Sequence, residues 1–133
     1  MKSQVAVEYL IIVSVALAII IPIIAYSNTL FIGYKDDISL TLAKNLVEKI
    51  GESADWVYSQ GSPAKVSLKI NVPEKVVGIY LINKTINLKI RTSSGISDIS
   101  YTGIAPLNGS LPTSPGIYTV TIEALEEYVN ISW

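Results

Sequence analysis

From Tyr9 to Tyr34 the chain runs for 26 residues without an Asp, Glu, Lys or Arg. Its first 18 residues, YLIIVSVALAIIIPIIAY, are interrupted only by Ser14 and Pro22. At about 1.5 Å per residue that stretch covers roughly 27 Å as a helix, close to the hydrocarbon thickness of a bilayer. Apolar residues face every direction, so no wetted side remains and a surface helix of a globular domain is excluded. Pro22 would break a helix in water. In lipid or among packed helices it is tolerated, because neighbours satisfy the carbonyl that it frees. The segment predicts a membrane-grade helix.

The remainder is ordinary. Of 133 residues, those from Lys35 to Trp133 carry 9 Lys/Arg and 10 Asp/Glu, a soluble balance, and the length allows one domain plus this appendage. There is no cysteine and no histidine, which removes disulfides, thiol nucleophiles, imidazole bases and zinc sites built on those residues. A net charge of −1 with no basic run argues against a nucleic-acid surface. The chain lacks a glycine-rich phosphate loop, a nucleophile elbow and an EF-hand loop. Asp36-Asp37 and the carboxylates from Glu48 to Asp55 are expected on a solvated helix face. Asp98 with Glu123, Glu126 and Glu127 is the one oxygen cluster that could hold calcium. The expectation is a protein that is not an enzyme, with no metal and no cofactor.

Lys2 and the terminal amine precede the apolar run, so the positive-inside bias puts the N-terminus in the cytoplasm and the C-terminal domain outside. A secretory signal peptide cut after Ala25-Tyr26-Ser27 is the rival reading, although the run exceeds a usual signal core. Glu8 borders the run directly. A carboxylate entering an apolar interior without a partner costs several kcal/mol, on the order of the effective desolvation penalty of a buried ion. It therefore stays at the headgroups or meets a cation inside.

Lys2-Ser3-Gln4-Val5-Ala6-Val7-Glu8-Tyr9-Leu10 resembles the class III signal sequence of archaeal type IV pilin-like proteins, and the likeness covers roughly residues 2–25. In that family a short basic leader precedes a glutamine, and a glutamate stands at the fifth mature position. Ala6 stands where the family often has serine, and Ser3 where it commonly has glycine. The resemblance implies cleavage between Ser3 and Gln4 by a prepilin peptidase, a membrane-held precursor, and assembly by membrane machinery into an extracellular filament of copies of the chain, with a role in adhesion. Residues 1–3 are then a leader and 4–34 the hydrophobic filament-core helix. Once Gln4 carries a free amine, an axial stagger between subunits brings it beside Glu8 of a neighbour. The pair neutralises two charges that are each costly alone in an apolar core, and a wrong register leaves both unpaired. Gln4 and Glu8 are the expected register-setting residues. An archaellin is a nearby reading; a membrane-anchored extracellular binding domain that does not polymerise is the alternative of a different class.

Residues 35–61 predict an amphipathic extension of the helix, with Ile38, Leu42, Leu46, Ile50, Ala54 and Val57 as its apolar stripe and Gln60-Gly61-Ser62-Pro63 as its stop. Residues 62–133 alternate as strands do. Val66 to Val72, Val76–Ile82 with Ile86–Arg91 as a hairpin, a weaker strand at Ile99-Tyr101, Tyr118 to Ile122 and Tyr128 to Ile131 predict five or six antiparallel strands. Pro106 to Pro115 is expected as a loop turning at Asn108-Gly109. The fold class is α+β: a long hydrophobic helix and a small antiparallel sheet or sandwich. Asn83, Asn108 and Asn130 each begin an N-x-S/T sequon and are candidate glycosylation sites. Trp56 and Trp133 are expected in the core.

Overall fold

The computed structural model describes residues 1–133. One helix, α1 (Lys2–Gln60), is followed by strands β1 (Lys65–Val72), β2 (Val76–Ile82), β3 (Thr85–Thr92), β4 (Gly95–Thr102), β5 (Leu107–Gly109), β6 (Gly116–Ala124) and β7 (Val129–Ser132). This is the α+β arrangement that the sequence predicts. The chain divides into two compact units, Met1–Lys35 and Asp36–Trp133.

The first unit is helix throughout, and Pro22 lies inside it. Proline has no N–H to donate, so the Ala18 carbonyl loses its helical partner. Ser14 and Thr29 donate their hydroxyls back to the carbonyls of Leu10 at 2.7 Å and Ala25 at 3.2 Å. The two hydroxyls therefore need no water, which suits an apolar surrounding.

In the second unit α1 buries Asp36, Ala43, Leu46, Val47, Ile50, Gly51, Ala54 and Val57. The stripe is rotated from the predicted one: Ile38 is 60% exposed, while Ala43 and Val47 are fully inside. A ladder of four-residue steps drifts by about 40° per step on a helix of 3.6 residues per turn. The buried set alternates three- and four-residue steps and stays on one side. Gly61 ends the helix at φ 83°, donating its N–H to the Val57 carbonyl at 3.1 Å. Glycine tolerates that left-handed cap without a Cβ clash.

Two sheets form the head. One runs β1-β6-β7-β5 and the other β2-β3-β4. Ile70 and Val72 of β1, Ile86, Leu88 and Ile90 of β3, Val120, Ile122 and Ala124 of β6, and Val129 and Ile131 of β7 fill the space between them together with the helix stripe. The β2 and β5 edges meet through the Leu107 N–H donating to the Asn83 carbonyl at 2.8 Å. The helix reaches the other two edges: Lys49 Nζ donates to the Lys69 carbonyl of β1 at 2.9 Å, and Gly51 lies under the Tyr101 ring of β4.

Three sequence expectations are corrected here. There are seven strands, and β5 pairs parallel with β7, so the four-stranded sheet is mixed. Asn108-Gly109 lies in β5 and is not a turn. Strand β7 offers an unpaired backbone edge, and satisfying it outweighs the local turn preference of this Gly- and Pro-rich stretch. Gly109 fits because its φ is 116° and a Cβ there would strike the Ile131 carbonyl. Finally, Trp56 and Trp133 are 56% and 61% exposed. Trp56 is one residue, about 100°, away from buried Val57, and Trp133 follows β7 with its ring edge-on to Tyr118 at 5.5 Å.

Candidate assembly surface and head attachment

Within residues 1–35 only Val13 and Ser27 are even partly covered. Isoleucines 11, 12, 19, 20, 21, 23 and 24, with Leu10, Leu17, Leu30 and Phe31, stand uncovered in an unbroken sleeve. Burying one such side chain is favourable by roughly 1.5–3 kcal/mol. A bare helix of this composition in water is therefore far from its minimum, and its length and composition fit a membrane anchor.

Ser3, Gln4 and Glu8 lie in the first turns of α1, all exposed. Gln4 and Glu8 are one turn apart on the same face, the i, i+4 relation. Glu8 has no cation within the chain: the ion pairs are Lys44–Glu48 at 3.9 Å and Lys75–Asp36 at 3.4 Å.

Two carboxylates that the sequence placed on a wet face instead attach the helix to the head. Asp36 is 7% exposed. Its Oδ2 accepts the Ser93 backbone N–H at 2.9 Å, and its Oδ1 takes Lys75 Nζ at 3.4 Å. Ser93, through its side chain and then its backbone N–H, holds the Asp36 carboxyl below the ordinary carboxylate range. Lys75 adds to this, and burial opposes it. Asp55 Oδ2 accepts the Tyr101 hydroxyl at 2.9 Å, and its Oδ1 accepts the N–H groups of Ile104 at 3.0 Å and Ala105 at 3.2 Å. Burial, followed by the bond to Asp55, pushes the Tyr101 phenol up. A Cβ at Gly103 would collide with the Asp55 carboxylate, so glycine opens that seat. The signal that finds Asp36 is its spacing: it stands two turns before Ala43 on the buried stripe. Asp55 carries no such mark.

The three sequon asparagines gather at one end of the head. Asn83 is exposed in the β2–β3 turn at φ 54°. Asn108 is exposed on β5, where its Oδ1 accepts the Gly109 N–H at 2.9 Å. Asn130 is half-buried on β7, directly beside Asn108 in the parallel register. Asp98 belongs to β4 and Glu123 to β6, in different sheets, and no group of three acidic residues comes together. Comparison with protein-family models, curated proteins and solved structures gives no match for this chain.

Proposed function

We propose that this chain is a structural subunit of an archaeal type IV pilus-like extracellular filament. The precursor waits in the cytoplasmic membrane with its N-terminus inside, loses Met1–Ser3, and polymerises through its N-terminal helix. The β head forms the outer surface and mediates attachment. The observation that supports this reading is the uncovered apolar sleeve of residues 1–35 joined to a head that satisfies its own core. An ordinary anchor also needs such a sleeve. What favours the filament over the anchor is Glu8, a lone carboxylate at the sleeve's border, one turn from the residue that cleavage after Ser3 would make the new amine.

Chemical sequencing of the cell-surface form tests the proposal together with negative-stain micrographs after detergent removal. A start at Gln4 and labelled fibres are expected. A start at Met1 with dispersed particles instead supports the membrane-anchored binding domain, and a soluble form starting at Asn28 supports a secreted one.

A further inference from the structure

The two ends of the head differ in chemistry. Asp36 marks one end, with the β3–β4 turn that it holds through Ser93. Strand β1 finishes there at Val72, three residues before Lys75, and β6 begins there, because Gly116 pairs with Val72 and Ile117 with Asn71. Three large apolar side chains at this end are exposed: Val77, Ile96 and Ile117, with Ile117 at 74%. Exposed Trp133 follows β7 at the level of mid-β6, and its ring packs edge-on against Tyr118, whose own ring lies beside Gly116 at this end. An open hollow of about 270 Å³ here is lined by Lys75, Val76, Val77 and Arg91. Arg91 has no ion pair in the chain, and the nearby carboxylates Asp37 and Glu74 are not part of the lining. The opposite end also exposes Ile82 and Ile104, but it carries all three sequons and Glu123, Glu126 and Glu127.

We propose that the Asp36 end of the head seats on the lipid–water interface of the membrane while the subunit awaits assembly, with Trp133, Ile117, Ile96 and Val77 entering the headgroup layer and Arg91, which has no ion pair in the chain, receiving a lipid phosphate. The inference rests on the reading that the apolar run crosses a bilayer. That run ends at Lys35 and Asp36 is the next residue, so this is the tethered end of the head. Tryptophan prefers the interface, where its ring is apolar and its N–H stays wet. Cationic side chains near the surface are attracted to anionic headgroups.

The chain has two tryptophans, so W56F leaves Trp133 as the only reporter and W133F leaves Trp56. Both full-length variants are placed in phospholipid vesicles that contain anionic lipid and acyl chains brominated near the headgroup. The Trp133 emission is expected to shift to the blue and to be quenched by the bromine, with Trp56 unquenched. R91Q in the W56F chain should reduce the quenching. Trp133 emission untouched by brominated lipid and quenched by aqueous iodide as strongly as Trp56 overturns the proposal. Ile20→Cys, in a chain with no other cysteine, separates the two failures. If that thiol is shielded from aqueous maleimide, the bilayer reading stands and only the seating fails. If it labels freely, the bilayer reading itself falls.

Discussion

At the scale of single residues, the head depends on side chains that look unremarkable in the sequence. Asp36 shows this through pH. Its folded carboxyl is held below the ordinary range, so on acidification the unfolded chain takes up the proton first. Its contribution is therefore whole above about pH 4 and is lost as the pH falls through the lowered folded value. Asp36→Asn should melt earlier than the wild type at neutral pH, and the gap between the two melting curves should narrow below about pH 4. Parallel acid limbs in circular-dichroism melts of the two proteins would show that the carboxylate is not the source. Gly51 gives a packing prediction of the same scale. A Cβ there meets the Tyr101 ring, so Gly51→Leu overpacks the contact and should cost about 1–3 kcal/mol. Chemical denaturation of the head reads this as a lower midpoint. A midpoint equal to wild type means that the ring moves aside freely.

At the scale of elements, what was legible depended on whether the signal was periodic. The β2–β3 hairpin follows from Val76–Ile82 and Ile86–Arg91 with the short link Asn83-Lys84-Thr85, and the structure pairs Ile82 with Thr85 and Leu81 with Ile86, which leaves a two-residue turn. The helix stop at Gly61 was equally plain. Strand β5 was not: three residues are too few for alternation, and its pairing with β7 is a tertiary fact about partners 22 residues downstream. Asp36 and Asp55 were missed for a different reason. A charge on a helix is assigned to water by default, and only a partner from the β3–β4 turn or from the Ile104 backbone reverses that. The helix itself belongs to the head's core, since Ala43, Leu46, Val47, Ile50, Ala54 and Val57 are among the 18 buried hydrophobics. Strands alone, Ser62 to Trp133, should lack a cooperative melt that Lys35 to Trp133 retains, because a domain of about 70 residues has little core to spare. Equal melting temperatures for the two fragments would refute this.

At the scale of the whole molecule, the chain joins a sleeve that is stable only when covered to a head that carries its own core. In the proposed filament sister helices would cover the sleeve, and Glu8 would set their stagger. Glu8→Gln keeps the apolar run and the leader, so it should be processed after Ser3 like the wild type but yield few fibres. Mass spectrometry of the N-terminal peptide and counts of sheared fibres measure the two steps separately. Fibre yield equal to wild type would remove Glu8 from assembly. In the sequence, the sleeve was visible at once, whereas the difference between the two ends of the head was not, because it arises from which strands start and finish together.

Asp36 and Asp55 stand 19 positions apart on α1, about 28 Å at 1.5 Å per residue, and they fasten the two ends of one strand, β4, through the turn before it and the residues after it. Tension drawn along the helix axis therefore loads both fastenings together, in shear. A head strapped at one end only would peel away one contact after another; this one must release both at once, which is the better joint for the proposed surface fibre when flow drags it.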